Sequence, residues 1–449
     1  MDAPTPPIPP SEPDGLARVL SGVDATALAV GIVVGTGIFA VPGFVARDLG
    51  APGPILVAWI LGGVIALAGA LTYAELASLF PRQGGSFLYV LHAFGPFAAF
   101  FKGWGSFLVG NPASSAAIAT VLGIYAAEAM GWGERAVKPT ALVAVTVVWA
   151  LNLRGTRFSA SMQTALTMTK VGALGILAVL ALAVGPGSWG RLATGWDLAW
   201  PGPTAFAAAL VGIVWTYDGW PNLTVVGGEI GDPRRGMARA LLATIGIVTA
   251  LYVLMNVGYL VLLPLEELSA TDSAASAAAA TMLGPFGRRL LGFLVVLSAF
   301  GSLFGIAIAA PRYFFAMARS GLFFSAAGRV DGRTAAPRWG NTALWLLTVV
   351  YVITGTFRQI IGYYVAISLI YNLMSVAAVY PLRRKYPDRE RTFRVPGYPV
   401  VPLVFIVAAL WVIANEVRDS PIRNGVGLLV LLSSAPAYLW WKRRRGTAA

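Results

Sequence analysis

The chain has 449 residues, 57% of them hydrophobic and only 12% charged, with a formal charge of +13. Soluble domains carry about a quarter charged residues, so this composition excludes an ordinary soluble enzyme or regulator and points to a polytopic membrane protein. There is no cysteine and a single histidine, His92, which excludes disulfides and thiolate metal sites and argues against a histidine-based metal centre. No metal or cofactor is expected.

Residues 1–15 are rich in proline and acid and lack a basic segment ahead of an apolar core. Residues 1–21 are therefore expected to form a disordered cytoplasmic tail rather than a signal peptide. Twelve apolar segments follow, centred on 24–45, 54–80, 97–127, 141–153, 161–184, 204–230, 241–263, 289–318, 343–357, 360–382, 400–417 and 425–441. Most approach the roughly 20 residues that cross about 30 Å of hydrocarbon, while the fourth and ninth are short. The expected fold class is thus all-α, with twelve transmembrane helices.

Most of the 33 basic residues fall in alternate loops and the span ends beside them. Arg82 and Lys102 flank the loop after the second span, and Arg234, Arg235 and Arg239 follow the sixth. Arg312, Arg319, Arg329, Arg333 and Arg338 surround the loop after the eighth, and Arg383 to Arg394 follow the tenth. The positive-inside rule puts these loops and both termini in the cytoplasm of a bacterial-type inner membrane. The basic excess then needs no nucleic acid. The longest outside loop, 263–289, holds Glu266, Glu267 and an alanine-rich run from Ala274, and is expected to form a short helix over the external mouth, as lid or connector.

Two spans carry helix breakers. In the first, Gly35 and Gly37 bracket Thr36 and Pro42 follows, which weakens the helix and exposes its amides. Alone, this pattern equally suits close packing of small residues. In the sixth, Asp218, Gly219, Trp220, Pro221 and Asn222 stand in a row, and proline breaks a helix by lacking an N–H and clashing with the preceding turn. Irregular backbone at membrane depth is tolerated only where it faces protein or a water-filled cavity. The breaks open two successive five-span blocks, 22–185 and 203–385, with two further spans in 399–449. Breaks at corresponding places in two halves point to an inverted-repeat transporter site. Free amides after the first break suit a carboxylate and free carbonyls suit an ammonium group, so the expected substrate is a zwitterionic amino acid.

The ordered motifs also resemble a family. They include Val34-Gly-Thr-Gly-Ile-Phe39, Tyr73-Ala-Glu-Leu76 through Pro81-Arg-Gln-Gly-Gly85, and Asn111-Pro-Ala-Ser-Ser115. Met168-Thr-Lys170, Tyr217-Asp-Gly-Trp220, Gly228-Glu-Ile-Gly-Asp-Pro-Arg234, Phe300-Gly-Ser302 with Arg312-Tyr-Phe-Phe315, and Phe393-Arg-Val-Pro-Gly-Tyr-Pro399 follow. Nearly end to end, the chain resembles the amino acid–polyamine–organocation superfamily, within it the L-type amino acid transporter-like branch. That resemblance implies a LeuT-type fold of two inverted five-helix repeats with helices 1 and 6 broken. It also implies that the amides of Gly35, Thr36 and Gly37 bind the α-carboxylate. Carbonyls near Ile32 and Val33, and of Trp215 and Tyr217, would bind the α-amino group beside Asp218 and Gly219. Trp215 matches the aromatic that closes over the substrate from outside. Mammalian members pair with a heavy chain through a cysteine, which this chain lacks, so no disulfide-linked heavy subunit is expected and a monomer suffices.

Lys170 lies deep inside the fifth span, where a charge costs at least a few kcal/mol and a functional role is expected. In the resembled family it stands where sodium-driven relatives bind sodium, which implies sodium-independent transport and a tie between helices 1 and 5. Asp218 is expected to cap the broken sixth helix, with reading of a cationic substrate or a proton as the alternative. Glu75 is expected to partner inside-loop arginines, Asp24 to be the N-cap of helix 1, and Glu229 and Asp232 to latch to a basic loop. Side-chain pocket candidates are Asn111, Ser114, Ser302, Tyr371 and Asn372, each of which ordinary packing would also explain. The expected function is sodium-independent secondary transport of neutral L-amino acids by alternating access, as an exchanger. The alternatives are a proton-coupled amino acid symporter and a cationic amino acid or polyamine carrier; a membrane enzyme finds no support in the residues.

Overall fold

The computed structural model describes residues 20–419 and 431–446 apart from 184, 186, 194, 195, 197–199, 272, 333, 335 and 356. The tail before residue 20 and the start of the twelfth expected span lie outside the described residues. The described chain is all-helical, apart from one isolated bridge between Leu20 and Ile230.

The elements are α1 (Gly22–Val33), α2 (Gly37–Leu49), α3 (Pro52–Leu79), α4 (Ser86–Phe94), α5 (Pro96–Met130), α6 (Val137–Asn152) and α7 (Thr156–Ala183). After these come α8 (Pro203–Tyr217), a 3-10 segment over Trp220–Glu229, α9 (Pro233–Leu262), α10 (Leu265–Ala270) and α11 (Ala274–Arg319). The last are α12 (Arg338–Thr354), α13 (Phe357–Ala377), α14 (Val379–Lys385), α15 (Val400–Asp419) and α16 (Ser434–Gly446). Six helices are singly long and apolar enough to cross a bilayer, namely α3, α5, α7, α9, α11 and α15, and the pair α1–α2, bent by 44°, makes a seventh. This is a multi-pass membrane protein.

Burial separates inner from outer helices. In its most apolar window α11 is 72% buried and α15 only 22%. On α15 the exposed residues Val400, Leu403, Val404, Val407 and Leu410 recur at helical spacing, a stripe that stays apolar because its solvent is hydrocarbon. The alanine-rich run does form a short helix: within α11 the backbone at Gly284 is non-helical (φ 59°, ψ −146°) and separates residues 274–283 from the long helix that follows, with Ala274, Ala275, Ala278 and Ala279 buried.

Three local expectations are corrected. Ser21, not Asp24, is the N-cap of α1; Asp24 is its capping-box partner, and its other carboxylate oxygen accepts from Thr164 on α7 at 2.8 Å. Glu229 latches not to a loop but to Arg312 on α11, with both side chains buried. Lys102, placed at a span end by the charge pattern, is buried inside α5. Asp232 caps α9 by accepting from the Arg235 amide. Glu75 does serve arginines: it pairs with Arg383 at 2.5 Å and Arg391 at 3.4 Å and accepts the Val395 amide at 2.8 Å. One buried carboxylate thereby pins the 387–395 loop beneath α3.

Candidate functional site

Both breaks anticipated from the sequence are present and meet each other. Helix α1 stops at Val33 and α2 starts at Gly37, leaving Val34, Gly35 and Thr36 non-helical. Among the described residues, the first amides of α2 receive no capping side chain and the buried Thr36 hydroxyl has no partner. The Gly35 amide is already engaged by the Val33 carbonyl at 2.7 Å, so the donors left at this break are those of Thr36 and the first turn of α2. Across from it α8 ends at Tyr217, Asp218 is extended, and Gly219 takes φ 117°, a conformation that only glycine holds without strain. A Cβ on Gly219 would also stand 2.8 Å from the Ile32 side chain, so the second break meets the end of α1 at a position with room for glycine alone.

A cavity of about 40 Å³ lies at the junction, lined by Ile32, Val33, Gly35, Thr36, Gly37, Ser114, Trp215, Thr216, Asp218, Gly219, Asn222, Ile306 and Tyr364. It has space for a few waters. Nine of the sequence candidates are thus brought together. Tyr217 is not among them. Its buried ring packs on Trp59 and Tyr252, and its hydroxyl donates to the Trp59 carbonyl at 3.1 Å. Asn111, Tyr371 and Asn372 line an adjoining cavity of about 80 Å³, which shares Asp218, Asn222 and Tyr364 with the first. Ser302 lies instead in the lysine cluster described next.

Lys170 is 1% exposed, and its ammonium reaches four oxygens: the carbonyls of Gly31 at 2.6 Å, Val34 at 2.7 Å and Ser298 at 3.3 Å, and the Ser302 hydroxyl at 3.2 Å. Ser298 and Ser302 in turn donate to the carbonyls of Val34 and Gly31. The carbonyls freed by the end of α1 are therefore satisfied by a cation from α7 and two hydroxyls from α11. This is an oxygen cage of the kind that holds a monovalent ion, filled by an ammonium.

Asp218 does more than cap. One oxygen accepts the Gly219 amide at 2.8 Å, and the other accepts Tyr364 at 2.7 Å and Ser368 at 2.5 Å, both on α13. The sixth-span break is thus tied to α13. Tyr252, on α9, was not signalled by the sequence, because a tyrosine in an apolar helix looks like packing. Its hydroxyl lies 2.9 Å from the Val33 carbonyl and 3.1 Å from that of Thr216, bridging the two breaks.

Paired broken helices around a small cavity, with a buried ammonium beside them, are features of a multi-pass membrane transporter. The chain matches the amino acid permease family over residues 20–422 and belongs to it. It is similar to the serine/threonine exchanger SteT of Bacillus subtilis, at 29% identity covering 97% of this chain and 100% of that one. It is also similar to the human cystine/glutamate transporter, at 30% identity covering 96% and 87%, and to the rat large neutral amino acids transporter small subunit 2, at 28% covering 96% and 82%.

Proposed function

We propose that this permease is a sodium-independent exchanger of neutral L-amino acids working by alternating access, with twelve spans in a LeuT-type inverted repeat and both termini cytoplasmic. The observation that carries the reading is the Lys170 ammonium inside the oxygen cage at the end of α1. A cage already holding one positive charge repels a second, so the ion that would otherwise order α1 is not required. Exchange, rather than one-way flow, is supported by the similarity to the Bacillus serine/threonine exchanger.

In the substrate-bound state, Thr36 and the first turn of α2 present amides to the α-carboxylate at the positive end of a helix. Carbonyls at the ends of α1 and α8 receive the α-ammonium, and Trp215 covers the site. Both oxygens of Asp218 are occupied by the Gly219 amide, Tyr364 and Ser368, which counts against its reading a cationic side chain. With no cysteine, the chain acts without a disulfide-linked subunit. The test is uptake of labelled serine and leucine into proteoliposomes in sodium-free buffer, with and without unlabelled amino acid inside. Uptake only against internal amino acid supports exchange; uptake that needs an inward proton gradient instead overturns it in favour of symport.

A further inference from the structure

The second cavity, below the Asp218–Asn222 stretch, contains a group that the proposed binding of the α-carboxylate and α-ammonium does not use. Lys102 is 3% exposed, and among the described residues its ammonium makes one hydrogen bond, to the Tyr371 carbonyl at 3.0 Å, while lying 5.4 Å from the Tyr371 ring centre. A lysine ammonium has three protons to donate, and a buried charge is costly unless those protons are answered. The same cavity is lined by Ser86, Ser106 and Tyr313, and the buried Tyr313 hydroxyl has no partner among the described residues. Asn111, also on the wall, spends its amide N–H on the Ser106 carbonyl. The cavity therefore holds a cation and a phenol short of acceptors, and its one carboxylate, Asp218, is already taken up by α13 and the Gly219 amide.

We propose that Lys102 and Tyr313 form an anion-accepting subsite that opens onto the substrate cavity and receives a carboxylate, either on the side chain of the transported amino acid or as a small free anion that enters with it. The inference rests on the exchange reading above. The two cavities share Asp218, Asn222 and Tyr364, so an amino acid held by its α-groups at the helix breaks can extend its side chain past these residues toward Lys102. A terminal side-chain carboxylate would satisfy the ammonium and the phenol together, a charge-assisted arrangement unavailable to an aliphatic side chain. The subsite thus extends the neutral range proposed above to amino acids whose side chain ends in a carboxylate.

The test is exchange by the full-length protein in serine-loaded liposomes, with external labelled glutamate and serine, in chloride or gluconate buffer. If the anion is the side chain, wild type exchanges glutamate, and the ratio of glutamate to serine kcat/KM falls at least tenfold in Lys102→Met and recovers in Lys102→Arg. If it is a free anion, serine exchange is faster in chloride than in gluconate, and the difference vanishes in Lys102→Met. Tyr313→Phe lowers the same readout about threefold with an unchanged melting temperature, because its hydroxyl has no partner to lose; this variant carries the test should Lys102→Met fail to fold. The proposal is overturned if wild type rejects glutamate and ignores chloride, or if Lys102→Met slows glutamate and serine equally. Failure of the exchange reading looks different: no labelled amino acid would exchange at all, while glutamate or chloride would still raise the melting temperature of solubilised wild type and not of Lys102→Met.

Discussion

The Lys170 ammonium donates to the Gly31 carbonyl at 2.6 Å, two residues before α1 ends. A side chain of α7 thereby holds the backbone at the first break, with Ser302 of α11 donating to the same oxygen at 2.9 Å. Helix position and charge are coupled through one atom.

Replacing Lys170 by alanine tests that coupling. A hydrogen bond to a charged group is worth about 1.5–3 kcal/mol, so loss of the ammonium is expected to slow exchange roughly ten- to a hundredfold. A change at the exposed Arg135 serves as the control and should leave the rate unaltered. Full exchange by Lys170→Ala in sodium-free buffer would falsify the account of this residue.

Gly37 opens α2 with its Cα facing Thr216 on α8. A Cβ there would stand 2.5 Å from the Thr216 hydroxyl and 2.8 Å from its methyl, closer than real contacts allow. Gly37→Val is therefore expected to push the breaks apart and abolish substrate binding, with Gly37→Ala retaining only a fraction. The measurement is the thermal shift of the solubilised protein on adding serine, which both variants should reduce. An undiminished shift in Gly37→Val would remove this amide from the site.

Asp218 and Tyr364 should behave as a coupled pair. The carboxylate accepts the phenol at 2.7 Å, so Asp218→Asn weakens and Tyr364→Phe removes this contact, leaving Ser368 to tie the sixth-span break to α13. In a double-mutant cycle on exchange rate, the two losses are expected to fall short of additivity by about 1 kcal/mol or more. Additive losses would show that the contact does not matter to transport.

The breaks were legible in sequence because their causes are local: two glycines around Thr36, and a glycine and proline after Asp218. Lys170 was legible because charge in an apolar run is rare. The partner of Glu229 was not, since Arg312 lies 83 positions away and looked like a span-end charge. Lys102 escaped for the same reason, although Phe100, Phe101 and Trp104 around it already marked an apolar setting. Tyr252 left no mark, because what distinguishes it is the position of two carbonyls contributed by other helices. Asp24 was misassigned by three residues because both members of a capping box are good cap formers.

The buried Glu229–Arg312 pair stands where several elements meet. Arg312 donates to the two carboxylate oxygens at 2.6 and 3.0 Å and to Thr156 at 3.0 Å, while Gln83 donates to Glu229 at 3.2 Å. The pair thus joins the 3-10 segment, α11, the start of α7 and the loop after α3, and the Glu229 carbonyl also accepts the Leu20 amide. Removing one partner leaves a buried charge unpaired, which costs about 3–5 kcal/mol. Arg312→Ala and Glu229→Ala are each expected to lower the melting temperature by several degrees and bias the protein toward a conformation open at this junction. Labelling a cysteine introduced at Ser86, facing the cavity of Lys102, reads that bias. Faster labelling in both variants is expected, and unchanged labelling would reduce the pair to a purely structural tie.

His92 gives the last prediction, through pH. It lies on α4, outside the membrane spans, 8% exposed, with its ring stacked on Phe80 at 4.9 Å and Nδ1 without a partner among the described residues. Burial, then the nearby charges of Lys385, Arg389 and Arg82, push its pKa down to about 4. The folded protein therefore keeps His92 neutral while the unfolded chain protonates near pH 6.5. Stability is then whole above pH 6.5 and falls as pH drops from there toward 4, by about 3 kcal/mol in total. In melting curves of the solubilised protein, His92→Gln is expected to lose less stability than wild type between pH 7.5 and 5. Parallel pH curves for the two proteins would show that the histidine titrates normally and that its burial contributes nothing to acid sensitivity.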